Sequence, residues 1–319
     1  MKRFLLCVLS VLAAAAAQAQ SYPTKPIKFI HGFVPGGNVD ITARVLAQPM
    51  SEILGQPIVI ESRPGAGGTV AANVVAHAEP DGYTLFMMAS GHAVSPGLYA
   101  SLPYDPVNDF TMISLAAQFP FVIAVAPSHP AKTLAQLLRE AHEKQGAVTL
   151  AHAGVGTGMH LATVLLQSRT GTQFNLIPYK GGNLAPMAAA QGETEAVFDT
   201  PAGMASLISA GKLRPLAVSS PQRWKNWPDV PTVAETVPGF DVRGWMALAG
   251  PKNLPPAVVE RLRIAMHQAL ARPDVQDRFA SMGTGVAPTQ PKETQAFLAS
   301  EIARWKKVIA EAGIKPQQN

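Results

Sequence analysis

The amino-acid sequence predicts an α/β protein built from doubly wound parallel sheets, on three observations. Strand-like and helix-like segments alternate with short connections, the strand-like segments are largely apolar without regular alternation, and two of them end in glycine-rich turns that open directly into a helix. Unalternating apolar runs suit strands covered on both faces, and regular β-then-α order is the grammar of a parallel sheet with helical crossovers.

Taken in order, 26–33 is a β-rich apolar run ending in glycine, and 39–54 carries Ile41, Val45 and Leu46 at helical spacing before Gly55 closes it. Pro49 inside that helix predicts a kink or an early end, because proline has no N–H to give the helical ladder. The next strand is 57–61, followed by a small-residue helix over 69–78, the turn Pro80-Asp81-Gly82, and the almost wholly apolar strand 83–89. The same grammar repeats with a strand at 121–126, a helix at 133–144 with Leu134, Leu137, Leu138 and Ala141 on one face, and a strand at 148–153. A glycine-rich turn, a helix at 159–169, a strand at 173–178, a helix at 184–191 and a strand at 195–199 come next, then a further helix and the strand 213–219. From Pro255 onward the chain reads as mostly helical, and Leu298, Ile302, Trp305 and Ile309 form an apolar stripe expected to pack back on one domain.

With 319 residues, 47% of them hydrophobic and 15% charged, the chain is too apolar for disorder and too long for one ordinary core. Its start reads as a secretory signal peptide over residues 1–19. Lys2 and Arg3 precede the apolar run 4–17, and Ala17-Gln18-Ala19 offers small residues for cleavage after Ala19. The run falls short of the roughly 20 apolar residues that span a bilayer. Phe4-Leu5-Leu6 lacks the small residues of a lipoprotein site before the single cysteine, Cys7, which leaves with the leader, so the exported chain has no disulfide. About 300 residues remain, enough for two domains of roughly 150. The net charge is +5, but the basic residues are scattered singly, which argues against a nucleic-acid groove.

Ligands of open α/β sheets bind beyond the C-terminal ends of the strands, where helix N-termini present N–H groups and partial positive charge. Two turns fit that place. In Phe33-Val34-Pro35-Gly36-Gly37-Asn38-Val39-Asp40 the glycine pair lets main chain approach a ligand, Asn38 reads as an N-cap and Asp40 lies in the first helical turn. In Gly154-Val155-Gly156-Thr157-Gly158-Met159-His160 three glycines and a hydroxyl form a nest of donors suited to a carboxylate or phosphate. Met159 stands where a dinucleotide fingerprint needs its third glycine, which speaks against a nucleotide. Each turn reads equally as a structural strand-to-helix connection. Asp199 ends a strand before Thr200-Pro201 and either accepts a hydrogen bond from a ligand or caps the next helix. Ser90 and His92 follow the strand 83–89 into the same crevice, and Lys180 sits in a turn that is either anion-facing or solvated. There is no G-x-S-x-G, H-E-x-x-H or C-x-x-C, and His152 and His160 flank the second loop at a spacing no metal motif uses. These absences favour binding over catalysis, with no cofactor and no metal expected.

Beyond these features, Tyr22-Pro23-Thr24-Lys25-Pro26-Ile27, the Phe33 to Asp40 loop, Leu54-Gly55-Gln56-Pro57 and Glu61-Ser62-Arg63-Pro64-Gly65-Ala66-Gly67-Gly68 carry a resemblance to a known family. So do Pro80-Asp81-Gly82-Tyr83-Thr84-Leu85, Pro178-Tyr179-Lys180-Gly181-Gly182, Gly211-Lys212-Leu213-Arg214 and Pro228-Asp229-Val230-Pro231-Thr232-Val233-Ala234-Glu235. Over nearly the whole mature chain this resembles the Bug family, the periplasmic solute receptors of tripartite tricarboxylate transporters.

The resemblance implies a type II periplasmic-binding-protein fold of two doubly wound lobes joined by crossing hinge strands. Placing the crossings near Phe121 and Trp245 expects lobe 1 over 20–120 with 245–319 and its C-terminal helices, and lobe 2 over 121–244. It also implies a monomer, a carboxylate ligand (dicarboxylate, tricarboxylate, acidic amino acid or aromatic acid) and polytopic membrane subunits as partners. Ligand contacts are expected from Phe33, Pro35, Gly36, Gly37, Ser90, His92, Val155, Thr157, Gly158, His160 and Asp199. The first loop departs from the family's usual Pro-Phe-x-Ala-Gly-Gly: Gly32 replaces the proline, and Pro35 replaces the alanine and removes one N–H donor. A sensor that presents its closed form to a membrane signalling kinase would use the same pocket, and a periplasmic enzyme is the third reading.

Overall fold

The computed structural model describes residues 22–181 and 183–316; the leader and its cleavage after Ala19 lie outside the described residues. The strands are β1 (Ile27–His31), β2 (Ile58–Ser62), β3 (Thr84–Ala89), β4 (Phe110–Pro120), β5 (Val122–Val125) and β6 (Thr149–His152). They continue with β7 (Asn175–Pro178), β8 (Ala196–Asp199), β9 (Arg214–Val218), β10 (Arg243–Pro251) and β11 (Gly285–Val286). The helices are α1 (Asn38–Leu54), α2 (Thr69–Ala76), α3 (Gly91–Leu98), α4 (Leu134–Lys144) and α5 (Gly158–Thr170). After them come α6 (Leu184–Gln191), α7 (Pro201–Ser209), α8 (Pro256–Ala271), α9 (Pro273–Ser281) and α10 (Pro291–Glu311).

Two sheets result, one of six strands in the order β11-β4-β10-β3-β1-β2 and one of five in the order β7-β6-β8-β5-β9. Neither is wholly parallel, which corrects the sequence expectation. In the first, β1 runs parallel to β2 and β3, while β10 is antiparallel to both β3 and β4. In the second, β6 runs parallel to β7 and β8, while β5 is antiparallel to β8 and β9. Besides the short β11, which is antiparallel to β4, the reversed strands are β5 and β10, through which the chain enters a sheet from the other half. Such a strand is apolar on both faces like its neighbours, so its direction leaves no trace in the residue pattern.

The two passages between the halves are stitched at one buried serine. Ser219, fully buried, accepts from the Phe121 N–H at 2.7 Å through its Oγ and donates from the same oxygen to the Val242 carbonyl at 2.5 Å. Its main chain joins the same pair, with Ser219 N–H to Phe121 O at 2.9 Å and Val242 N–H to Ser219 O at 3.0 Å.

Helix α1 runs through Pro49 to Leu54 without ending early. Leu46, Met50 and Leu54 are buried, and the helix packs on β2 and α8, which holds the turn that the proline weakens. The stripe Leu298, Ile302, Trp305 and Ile309 on α10 is buried against α3 and β4, on the six-stranded half. The Trp245 indole of β10 donates to Glu301 Oε2 at 3.2 Å and ties that helix to the returning strand. Among the described residues no helix is long and apolar enough to cross a membrane.

Candidate functional site

Between the two sheets lies a chamber lined from the six-stranded half by Phe33, Asn38, Ser90, Phe119 and Met246, and from the five-stranded half by Ala153, Thr157, Met159 and Asp199, with Phe121 at the crossing. About 60 Å³ is open to the centres of water-sized spheres, room for roughly five waters or a ligand of similar bulk. Four helices begin at its wall: Gly37-Asn38-Val39 opens α1, Ser90-Gly91 opens α3, Thr157-Gly158-Met159 opens α5, and Thr200 caps α7. Each helix start contributes a partial positive charge, and those of α1, α3 and α5 unengaged N–H groups as well; at α7 the Thr200 N–H is taken by Asp199 and Pro201 has none. Among the described residues no Lys, Arg or His lines the chamber. The wall therefore favours an anion through neutral donors.

The first loop is held from behind. Asp40 is buried and accepts from the Gly36 N–H at 3.0 Å, from Arg44 Nε at 2.8 Å and Nη2 at 3.0 Å, and from His31 Nε2 at 3.1 Å. His31 Nδ1 takes the Phe33 N–H at 3.4 Å, so the proton sits on Nε2 and the imidazole is neutral. Burial lowers the His31 pKa. Burial pushes the Asp40 carboxyl up, but Arg44 and the Gly36 N–H outweigh it and the net shift is downward. Because Gly36 N–H is engaged by Asp40, Gly37 N–H by Val34 O at 3.3 Å, and Pro35 has none, the expected main-chain donors of this loop are turned inward on the protein. Pro35 and Gly36 are exposed and absent from the chamber wall. Gly37, rather than Asn38, is the N-cap, which leaves Asn38 as the first helical residue. Both polar atoms of its side-chain amide are buried without a partner among the described residues. Asn38 is the functional candidate that sequence reasoning misassigned.

The second loop is organised by Thr157. Its hydroxyl donates to Gly154 O at 2.7 Å and accepts from the His160 N–H at 3.3 Å, so it caps α5. The hydroxyl proton expected to meet a ligand is thus committed to the loop, and Gly158 and Met159 are left as the first-turn residues on the wall. Asp199 ends β8 opposite Val122 and is 2% exposed. Its Oδ1 accepts the Thr200 N–H at 2.6 Å, while Oδ2 has no partner among the described residues. Burial pushes its pKa up to about 7.

Of the residues named from sequence, Phe33, Gly37, Ser90, Thr157, Gly158 and Asp199 come together on the chamber wall. His92 does not. It is buried in an aromatic cluster, stacked on Tyr104 at 5.7 Å and edge-on to Phe110 at 5.0 Å, with Nε2 donating to Pro106 O at 2.8 Å. Its pKa is lowered to about 4 by burial. His160 packs on His152 with ring centroids 5.1 Å apart and is absent from the wall. Each follows the last wall residue of its helix start, Gly91 or Met159, by one residue, a rotation of roughly 100° away from the chamber. Val155 is exposed and lines an outer groove with Lys180, Tyr179 and Gly65 that shares Phe33, Thr157 and Gly181 with the chamber. Phe119, Phe121 and Met246, from the crossing strands, were not foreseen. Outside the cleft, His129, Glu140 and Glu195 gather ligand atoms within 4.8 Å of one another, but Glu140 is paired with Lys144 and Glu195 accepts from Thr149.

At the mouth the two halves meet backbone to backbone. A Cβ built on Gly67 would stand 2.9 Å from Gly156 O, and one on Gly91 would stand 2.9 Å from Gly67 O and 3.2 Å from Gly156 O.

Two mixed sheets, joined by stitched crossings around a donor-lined chamber, define a two-lobed solute-binding protein. The family profile described as "Tripartite tricarboxylate transporter family receptor" matches residues 42–314, and the chain belongs to that family. It is 35% identical to Protein BugT of Bordetella pertussis over 319 residues, covering 98% of each chain. Among solved structures it resembles Rpa4515 of Rhodopseudomonas palustris with adipate (TM-score 0.88, 31% identity, 93% and 100% of the two chains). It also resembles the periplasmic binding protein BugD (TM-score 0.87, 31% identity, 93% and 100%). A third similar structure is MatC of Rhodopseudomonas palustris with bound malate (TM-score 0.85, 31% identity, 90% and 100%).

Proposed function

We propose that this protein is the periplasmic receptor of a tripartite transporter, binding a small carboxylate between its lobes and delivering it to polytopic membrane subunits. The observation that carries the reading is the convergence of four helix N-termini on one chamber without a cationic side chain. An anion there gains charge-assisted hydrogen bonds from both halves at once, and water exclusion strengthens them. Adipate in Rpa4515 and malate in MatC support the carboxylate class. Asn38, Ser90, Gly158 and Asp199 are the proposed polar contacts, with Phe33, Gly37 and Thr157 shaping the wall. The lobes are residues 20–120 with 245–319, and 121–244; they move about the Ser219 crossing, and the chain acts as a monomer after cleavage behind Ala19.

The test is a thermal-shift screen of the mature chain against aliphatic, amino and aromatic acids, followed by calorimetry. A ligand at 100 times its Kd stabilises by about 2.7 kcal/mol. Silence across the panel, repeated after unfolding and refolding to strip any copurified ligand, removes the carboxylate reading.

A further inference from the structure

The donors of the chamber explain how it holds a carboxylate, but not why a carboxylate is built into its wall. Asp199 stands at the end of β8, one residue pair from the crossing, almost wholly buried, with one oxygen fixed by Thr200 and the other unpartnered among the described residues. Among the described residues no charged side chain acts on it; besides burial, the Thr200 N–H and hydroxyl bear on its ionisation. The wall it shares is largely apolar, with Phe33, Phe119, Phe121, Met159 and Met246 beside the neutral polar side chains of Asn38, Ser90, Thr157 and Thr200. A buried acceptor left unmet costs about 1–3 kcal/mol. A second carboxylate brought beside it meets like charge in a poorly hydrated space with no cation to screen the pair.

Resting on the receptor reading above, we propose that the ligand is a small carboxylic acid carrying a hydrogen-bond donor, a hydroxyl or an ammonium group, which Asp199 Oδ2 accepts. The acid end lies on the helix N-termini, the carbon skeleton on the phenylalanine and methionine side chains, and the donor on Asp199. Plain diacids and triacids are disfavoured, because one of their carboxylates reaches Asp199 only with a proton between them. A site built to hydrogen-bond a ligand hydroxyl or amine rejects analogues lacking it strongly, since its own polar atom is then left unpaired.

The proton count on binding reports the same contact independently. At neutral pH the Asp199 carboxyl is divided between its two forms. An ammonium group fixes it ionised and releases protons, a diacid fixes it protonated and takes protons up, and a hydroxyl pairs with either form.

The experiment is calorimetry of the full mature chain at pH 7, in buffers of differing ionisation enthalpy. The ligands are matched acids on skeletons of about three to six carbons and on a benzene ring, each as the plain monoacid, hydroxy acid, amino acid and diacid. The expected result is a hydroxy or amino acid bound at least about ten-fold more tightly than the plain acid and the diacid of its skeleton. Proton release accompanies the amino acid and none the hydroxy acid, which distinguishes the two sources. Asp199→Asn is expected to narrow that preference and abolish the proton release; if the variant does not fold, the proton count on the natural chain decides. A plain acid or diacid that binds as tightly as its donor-bearing partner overturns the inference and leaves the receptor reading standing. No binding by any acid overturns both.

Discussion

Asp199 makes the stability of the protein depend on pH in a way that one substitution isolates. In the unfolded chain its pKa is the ordinary 3.8, and in the fold burial raises it to about 7. The folded state therefore holds this proton across the interval in which the unfolded state has lost it. The stabilisation is fully present below about pH 3.8 and is lost as pH rises through about 7. About three pH units at about 1.4 kcal/mol each give roughly 4 kcal/mol. His92 and His152 act oppositely: burial, aided at His152 by the neighbouring His160, lowers both from 6.5 to about 4. Their stabilisation is present above pH 6.5 and lost as pH falls toward about 4. The natural chain thus has a composite profile, and only the difference from Asp199→Asn separates the carboxyl from the imidazoles. Urea melts of both proteins, ligand-free, at intervals from about pH 4 to 8 give that difference. The variant is expected to lose ground to the natural chain by about 4 kcal/mol on going from the alkaline to the acid end. A difference that stays constant with pH refutes the assignment of a desolvated, proton-holding Asp199.

Three further substitutions probe the parts that position the chamber. Ser219→Ala removes both side-chain bonds of the crossing and leaves the buried Phe121 N–H unmet; a stability loss of about 2–3 kcal/mol in urea melts is expected, and a loss below about 0.5 kcal/mol denies the stitch its role. Asp40→Asn gives up an acceptor needed by Gly36 and His31, and should lower stability by about 1.5–3 kcal/mol, the exposed Arg44 adding little. Because the folded Asp40 pKa is depressed, this stabilisation is present at neutral pH and lost as pH falls through that lowered value, so the gap between variant and natural chain should close in acid. Gly158→Ala places a methyl carbon 2.9 Å from Ser90 Oγ and from Cζ of the buried Phe121 ring, which must shift; stability should fall by about 1–3 kcal/mol in urea melts and ligand affinity at least about ten-fold by calorimetry, and an unchanged Kd takes Gly158 out of the site.

Much of the architecture was legible because strands covered on both faces and helices with one apolar stripe write different periods into the chain. The helix over 134–144 shows its Leu134, Leu137, Leu138 and Ala141 face, and Thr133 supplies its cap through the Gln136 N–H at 3.3 Å. Strand direction was not legible, since β5 and β10 are as apolar as their parallel neighbours. The short helix Gly91–Leu98, holding Gly91, Gly97 and Pro96, carries no propensity signal and owes its form to burial. At the site, the two glycine-rich turns announced the helix starts, yet which donors face the chamber depended on Asp40, Gly154 and Thr157 engaging some of them first. Phe119, Phe121 and Met246 reach the wall from crossing strands far apart in the chain, a juxtaposition that no local pattern encodes.

The mouth contact among Gly67, Gly91 and Gly156 acts as a mechanical stop. Where lobes meet through side chains, a substitution can let them travel further together or hold them further apart. Here a Cβ built on Gly67 would stand 2.9 Å from Gly156 O, so the approach is one of main chain to main chain: no trimming mutation can bring the halves closer, while a methyl group added at Gly67 would hold them apart. Trimming side chains therefore leaves that approach as it is, and changes the capacity of the chamber only from the sides, at Phe33, Phe119, Met159 and Met246. Exchanging those four for smaller or larger residues offers a route to new ligands that leaves the final position of the lobes, and any surface read in that position, unaltered.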